Sequence, residues 1–191
     1  LGHAVLCARQ FVGDEPFAVL LGDDLVDAKV PCLAQLIDVY EDYGGSVLGV
    51  QQVPQSQVSR YGIVAPHKVK PNVWQAVDLV EKPEAEKAPS RLAVLGRYVL
   101  TPAIFEILEH TKPGTGEEIQ LTDAICELAR KEKVYAYRFE GRRYDIGDKE
   151  GFLEATVEQA LKRPEIRDDF MAYLVQRIGP LLRQKMEEDA E

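Results

Sequence analysis

An apolar run of strand length, residues 16–21, stops abruptly at Gly22-Asp23-Asp24. It is followed by an amphipathic segment at residues 31–43 and a second segment of strand character at residues 46–53. Continuous apolar runs are typical of strands buried in a parallel sheet, and an apolar face repeating every 3.6 residues is typical of a helix packed on such a sheet. The order strand, helix, strand predicts a crossover unit, in which residues 16–21 form a buried parallel strand.

The rest of the chain continues this alternation. Strands are predicted at 62–65, 74–80, 92–100 and 134–139, and helices at 102–110 and 119–131. From residue 149 the pattern predicts two helices separated near Pro164. We therefore expect an α/β protein with a mixed sheet, organised as a single domain over residues 1–191 with a C-terminal helical extension from about residue 149. The chain opens at Leu1 in a helical pattern with no strand before it, so we expect the later part of a longer protein.

Composition narrows the classes of function. The chain has 191 residues, of which 46% are hydrophobic, and no apolar run approaches the roughly 20 residues that cross a bilayer. We therefore expect a cytoplasmic protein with no membrane partner. A net charge of −9 without a basic stripe argues against nucleic acid as a partner. The three cysteines are widely spaced, which predicts reduced core residues rather than a metal site.

The segment Leu79-Val80-Glu81-Lys82-Pro83 places an acid and a base at the end of a predicted strand, where the proline stops the ladder. Alternating side chains point Glu81 and Lys82 to opposite faces, so a ligand held by both would lie along the strand end. Hydroxyl groups near the acid and an anion near the base describe a sugar phosphate. On this motif alone, a solvated strand end before a turn is the more common arrangement.

Two acidic segments are candidate metal ligands. Asp23 and Asp24 follow the strand at 16–21, where ligands of open α/β sheets collect, and either could bind Mg²⁺ or merely cap a turn. Downstream, Asp145 and Asp148 lie in one short segment. We favour Asp145 as the ligand and Asp148 as the N-cap of the next helix.

Several motifs occur together in a characteristic order. They are Leu1-Gly2-His3-Ala4-Val5, Leu21-Gly22-Asp23-Asp24, Arg60-Tyr61-Gly62-Ile63-Val64, Val80-Glu81-Lys82-Pro83, Val94-Leu95-Gly96-Arg97-Tyr98, Glu118-Ile119-Gln120-Leu121-Thr122-Asp123-Ala124-Ile125 and Tyr144-Asp145-Ile146-Gly147-Asp148-Lys149. The ordered set resembles the bacterial UTP–glucose-1-phosphate uridylyltransferases, also called UDP-glucose pyrophosphorylases, over residues 1 to about 160. The resemblance implies a Rossmann-like nucleotidyltransferase fold that joins UTP to glucose 1-phosphate and releases pyrophosphate, with Mg²⁺ as cofactor.

The resemblance also implies roles for particular residues on the substrate side. Gly2 would lie against the nucleoside, and Gly62 and Gly96 would let the backbone approach the hexose. Glu81 would accept hydrogen bonds from the sugar hydroxyls, and Lys82 would hold the sugar phosphate.

The same resemblance implies that Asp23 and Asp145 are the metal ligands, and that Lys82 and Asp23 are the catalytic residues. The physical reason is that an attacking phosphate oxygen needs no general base at neutral pH, so catalysis consists of aligning two anions and neutralising charge.

One departure from the family pattern concerns activity. The family begins with a strand and a glycine-rich loop that carries basic residues and wraps the triphosphate, and the chain as given contains no such segment. We therefore expect the UTP–glucose-1-phosphate activity to belong to a full-length parent, with this chain inactive by itself and N-terminally truncated. Two alternatives stay open: a non-catalytic homologue that binds a sugar phosphate or a partner chain, and a related enzyme that uses another nucleotide. Because an incomplete sheet exposes strand edges, we also expect a homo-oligomer.

Overall fold

The computed structural model describes residues 1–189, without the side chains of Thr115 and Leu182. The chain divides into two compact units, Leu1–Arg143 and Tyr144–Glu191. The helices are α1 (Gly2–Cys7), α2 (Arg9–Val12), α3 (Cys32–Tyr43), α4 (Ala103–His110), α5 (Leu121–Lys131), α6 (Lys149–Lys162) and α7 (Pro164–Glu188). The strands are β1 (Phe17–Leu20), β2 (Asp24–Asp27), β3 (Val47–Gln52), β4 (Gly62–Lys70), β5 (Val73–Glu81), β6 (Leu92–Leu100), β7 (Tyr135–Arg138) and β8 (Arg142–Asp145).

The first unit is built on a mixed six-stranded sheet with the order β1-β6-β3-β7-β5-β4. Strands β3 and β7 are parallel, whereas the other neighbouring pairs are antiparallel. One further pair, Ile63 with Ala93, joins β4 to β6. Strands β2 and β8 form a separate two-stranded sheet. Neither of these two short strands was predicted from the sequence.

The prediction of a buried parallel strand at residues 16–21 is wrong. Strand β1 lies at the end of the strand order and pairs antiparallel with β6, and its side chains alternate between partly buried and exposed. Strands β1 and β3 do run in the same direction, as a crossover requires, but β6 is inserted between them. The environment of β1 therefore depends on its pairing with β6, which is distant in sequence. The apolar character of residues 16–21 does not reveal this pairing.

Helices cover both faces of this sheet, which explains why all nine residues of β6 are buried. On one face, side chains of β6 such as Leu92 and Leu100 pack with Phe105 of α4 and Ile125 of α5. On the other face, alternate side chains of β6 pack with α3. The buried side of α3 carries Cys32, Gln35, Leu36 and Val39. The predicted helix is confirmed, and Gly44 ends it in a left-handed conformation with φ of 69°.

The second unit contains α6 and α7. The side chain of Asp148 accepts a hydrogen bond from the amide of Glu150 at 3.0 Å, which confirms the predicted N-cap of α6. Tyr144 donates a hydrogen bond from its hydroxyl to Glu158 at 2.7 Å. Helix α7 begins with Pro164 at its first turn, the break that the sequence predicts. Among residues 1–189, no helix combines the length and apolar character that crossing a membrane needs.

Candidate functional site

The end of β5 carries a carboxylate held by a helix that lies far away in sequence. Glu81 pairs with Gly62 across the β4–β5 ladder. Its Oε2 accepts a hydrogen bond from the hydroxyl of Thr122, in the first turn of α5, at 2.6 Å. The side chain of Glu81 is only 19% exposed. The carboxylate is thus oriented by a neutral donor and keeps acceptor capacity for a ligand.

Gly62 allows this close approach. A Cβ atom at this position would lie 3.0 Å from Thr122 Oγ1 and 3.2 Å from Glu81 Oε2. Those distances are tighter than ordinary van der Waals contact, so a side chain here would push the threonine and the carboxylate apart. The glycine that the resemblance assigns to the hexose region therefore has a packing role beside Glu81.

Lys82 turns the chain away from the strand. Its φ of 45° is unusual for a residue other than glycine, and its amide donates a hydrogen bond to the carbonyl of Tyr61 at 3.0 Å. Lys82 Nζ lies 3.7 Å from Glu81 Oε1, and the lysine side chain is 61% exposed. The two charged groups therefore stand side by side, with the ammonium group largely in solvent.

A hollow opens next to this pair. It has a volume of about 330 Å³ and is lined by Glu81, Lys82, Gly116, Glu118 and Gln120. We call it the β5 hollow. Its volume lies at the lower end of the range of small-molecule sites in proteins. Two carboxylates, one ammonium group and one amide line it, which gives a hydrophilic ligand several partners for hydrogen bonds.

Electrostatics place two further ionisable groups near Glu81. Burial, and then the charge of Glu81, raises the pKa of the Asp123 carboxyl group. Burial together with the charges of Asp24 and Glu81 raises the pKa of Tyr98. Both shifts have the direction expected for a region rich in carboxylates.

A second polar cluster lies where β1 ends. Asp24 is buried, and its Oδ1 accepts a hydrogen bond from Arg143 Nε. Arg143 also donates from Nη1 to the hydroxyl of Tyr61 at 3.1 Å, and its guanidinium lies 5.2 Å from the centre of that ring. Because the carbonyl of Tyr61 holds Lys82, this tyrosine connects the two clusters.

Gly96 and Arg97 complete the second cluster from β6. Gly96 has φ of 57°, and a Cβ atom there would lie 2.1 Å from Asp24 Oδ2. The guanidinium of Arg97 donates to the carbonyls of Leu21 at 2.9 Å and Gly96 at 3.0 Å, and to that of Asp24. Backbone groups at the exit of β1 are thus held by a buried arginine.

The structure brings some predicted residues together and separates the roles of others. Gly62, Glu81 and Lys82 form one cluster, as described above. Gly96 contacts Asp24, the neighbour of Asp23, whereas Asp23 itself is exposed. Gly2 is buried, and its amide donates to the carbonyl of Ile119 at 2.8 Å.

Asp145 belongs to the second unit, where its carbonyl accepts the amide of Asp148 at 3.2 Å. Within residues 1–189, no group of three or more His, Cys, Asp or Glu side chains has the arrangement of a metal site. Mg²⁺ commonly takes only one or two carboxylates and completes its shell with water and phosphate oxygens, so carboxylates such as Asp23 and Asp145 match its donor chemistry.

The cysteines only partly match the prediction. All three are free, and Cys32 is buried in the core that α3 forms with the sheet. Cys126 is partly buried, and its thiol donates to Asp78 at 2.8 Å. Cys7 is exposed and is therefore not a core residue.

Sequence reasoning missed Thr122 and Arg143. For Thr122, the polar pair Thr122-Asp123 directly after Leu121 was a signal for a site at the helix end. Arg143 carried no local signal, because its partners Asp24 and Tyr61 are 119 and 82 residues away in sequence.

The comparison with protein families identifies the class of protein. The model of the family described as "Nucleotidyl transferase" matches residues 1–161, and the chain belongs to this family. This confirms the α/β nucleotidyltransferase fold that the resemblance implies.

Curated relatives narrow the likeness. The chain is 53% identical over 176 residues to the UTP–glucose-1-phosphate uridylyltransferase of Staphylococcus epidermidis, covering 92% of this chain and 61% of that protein. It is 55% identical over 174 residues to the UTP–glucose-1-phosphate uridylyltransferase YngB of Bacillus subtilis, covering 91% and 59%. The chain therefore spans about 60% of the length of these relatives.

Solved structures agree. A UDP-glucose pyrophosphorylase complexed with UDP-glucose is 45% identical, with a TM-score of 0.82, covering 85% of this chain and 62% of that chain. A UTP-bound pyrophosphorylase from Acinetobacter baumannii is 38% identical, with a TM-score of 0.82, covering 92% and 61%. The resemblance to uridylyltransferases predicted from the motifs is thus confirmed.

Proposed function

We propose that this chain supplies the sugar-phosphate-binding part of an enzyme that forms UDP-glucose and pyrophosphate from UTP and glucose 1-phosphate. The observation that carries the proposal is the pairing of Glu81 with Lys82 beside the β5 hollow. A carboxylate accepts hydrogen bonds from sugar hydroxyls, and an ammonium group binds a phosphate. The names of the relatives supply the identity of the two substrates.

The chemistry requires little from the protein beyond positioning. A phosphate oxygen of the sugar phosphate attacks the α-phosphorus of UTP, the new phosphorus–oxygen bond forms, and pyrophosphate leaves with the electron pair of the broken bond. Lys82 would hold the attacking phosphate and reduce its repulsion with the triphosphate. Glu81 would fix the hexose, so that this oxygen points along the line of attack. Gly62 and Gly96 would keep the backbone close to the hexose, and Gly2 would face the nucleoside.

Mg²⁺ is part of the proposal as the cofactor. Asp23 and Asp145 would be its protein ligands, supported by the resemblance and by their carboxylate chemistry. When bound, the ion would neutralise charge on the phosphates. Asp23 would thereby share the catalytic role with Lys82.

Location and partners follow from the same proposal. We infer a cytoplasmic protein, which its free cysteines support, and no nucleic-acid partner, in line with the charge of −9.

We also infer a homo-oligomer, because β1 lies at the end of the strand order and offers an edge for pairing. Light scattering that gives the mass of a monomer at high protein concentration would contradict the oligomer.

The test of the activity uses the complete gene product that contains this chain. Mixed with UTP, glucose 1-phosphate and Mg²⁺, it is expected to release pyrophosphate in step with formation of UDP-glucose. Release with another nucleoside triphosphate but not with UTP would overturn the uridylyl assignment. Binding of glucose 1-phosphate without turnover of any nucleotide would instead support a non-catalytic sugar-phosphate-binding homologue.

A further inference from the structure

We propose that Thr122 is a positioning residue that presents one oxygen of Glu81 to the sugar and so sets the preference for the hexose. The inference rests on the proposed function of the Glu81–Lys82 pair. Thr122 does not line the β5 hollow, so it would act through Glu81 rather than by touching the ligand.

The two oxygens of Glu81 have different surroundings. Oε2 is bound to the Thr122 hydroxyl at 2.6 Å, whereas Oε1 lies 3.7 Å from Lys82 Nζ. The first oxygen is held by a short hydrogen bond to a partly buried donor. The second oxygen stands on the side of the cation that would bind the sugar phosphate, and Glu81 lines the hollow. Oε1 is therefore the oxygen presented to a sugar hydroxyl.

Thr122 is itself held in one orientation. A Cβ atom at Gly62 would lie 3.0 Å from the hydroxyl oxygen and 3.3 Å from the methyl carbon of Thr122, so both branches of its side chain lie against that glycine. A β-branched side chain has few rotamers in a helix. The hydroxyl of Thr122 therefore points at Glu81. Its direction is set by the first turn of α5, by Gly62 of β4 and by the branched side chain itself.

This arrangement has a consequence for specificity. A carboxylate oxygen held in one position binds more strongly to a sugar that places a hydroxyl opposite it. A sugar that lacks this hydroxyl leaves the partly buried acceptor without a hydrogen-bond partner. A carboxylate free to rotate would adapt to either sugar and discriminate less. The hydroxyl of Thr122 is thus expected to increase discrimination between sugars, in addition to affinity.

The experiment compares Thr122→Val and Thr122→Ser in the complete gene product. Valine keeps the branched shape without the hydroxyl, and serine keeps the hydroxyl without the methyl group. Values of kcat/KM are measured for glucose 1-phosphate and for each of its monodeoxy analogues, at saturating UTP and Mg²⁺. In the wild type, one analogue is expected to have a lower kcat/KM than glucose 1-phosphate, because it lacks the hydroxyl that donates a hydrogen bond to Glu81.

For Thr122→Val, we expect kcat/KM for glucose 1-phosphate to fall about 10- to 100-fold, the scale of a hydrogen bond to a charged group. For the disfavoured analogue we expect little change in kcat/KM. The ratio of kcat/KM for glucose 1-phosphate to that for the analogue therefore falls towards one, while KM for UTP stays constant. Thr122→Ser is expected to restore the preference. Thr111→Val is the matched control, because the Thr111 hydroxyl donates at 2.8 Å to the carbonyl of Ile107 and not to a carboxylate.

The outcomes separate the two proposals. If the wild type turns over glucose 1-phosphate and Thr122→Val keeps the full preference, the positioning role is overturned and the proposed function stands. An equal loss for every sugar, not recovered by Thr122→Ser, would likewise show a structural role only. A wild type that does not turn over glucose 1-phosphate overturns the proposed function, and this inference with it.

Discussion

The carbonyl of Tyr61 accepts the amide hydrogen bond of Lys82 at 3.0 Å, and the hydroxyl of the same tyrosine accepts one from Arg143 at 3.1 Å. One residue thus links the turn that carries the candidate phosphate-binding lysine to the buried ion pair of Asp24 with Arg143. Since Tyr61 immediately precedes Gly62, the link also reaches the glycine beside Glu81. The two polar clusters are therefore connected through Tyr61, by its hydroxyl on one side and its carbonyl on the other.

Lys82→Met tests the phosphate-binding role. Methionine keeps the unbranched stem but removes the charge, so we expect the Kd for glucose 1-phosphate to rise about 10- to 100-fold in isothermal titration calorimetry. Lys87→Met is the control, because Lys87 is an exposed residue whose ammonium group pairs with Glu84 at 2.9 Å. Equal affinities for the two variants would show that Lys82 does not bind the phosphate.

Gly96→Ala is expected to destabilise the first unit by about 2–4 kcal/mol. The new methyl group would collide with Asp24 Oδ2, and alanine is strained at a φ of 57°. Gly22→Ala is the matched control, with nothing within 4 Å of the added Cβ, and is expected to change stability by less than about 0.5 kcal/mol. Urea unfolding followed by circular dichroism measures both, and equal midpoints would contradict the steric argument.

Arg143→Met tests the buried ion pair. The side chains of Arg143 and Asp24 are 13% and 7% exposed, so removal of the arginine leaves a buried carboxylate without this partner. We expect a loss of about 3 kcal/mol in the free energy of unfolding. The double variant Asp24→Asn with Arg143→Met is expected to lose less than the sum of the two single variants. Strict additivity in urea unfolding would show that the two side chains are not coupled.

Asp123→Asn tests the electrostatics near Glu81. Burial and the charge of Glu81 raise the pKa of Asp123, so the folded state binds its proton more tightly than the unfolded chain does. At pH 7 the wild type carries the cost of this charge, and the asparagine variant is expected to have the higher Tm. The difference in Tm is expected to shrink as the pH falls through the raised pKa and to vanish below about 3.9, the usual value for aspartate. A constant difference over that range would contradict the assignment.

Local pattern was sufficient for much of the fold. Strand β6 occupies residues 92–100, the span predicted from the sequence, and α4 and α5 begin within two residues of their predicted starts. Apolar spacing sets such segments, and Gly44 likewise ends α3 where the sequence predicts. The direction and burial of β1 could not be predicted in this way, because its partner β6 lies about 80 residues further along the chain.

The candidate site shows the same division. Adjacent charges before Pro83 marked Glu81 and Lys82 without any tertiary information, and the ordered motifs indicated the family. Residue type and position alone did not separate Asp23 from Asp24, and only the family resemblance favoured Asp23 as a ligand. In the structure Asp23 is exposed, whereas Asp24 is buried against Arg143. The sequence by itself determined which residue types stand at the strand ends. Only the tertiary structure decided that Thr122, 41 residues beyond Glu81, holds its carboxylate, because that hydrogen bond exists only when α5 docks against the end of β5.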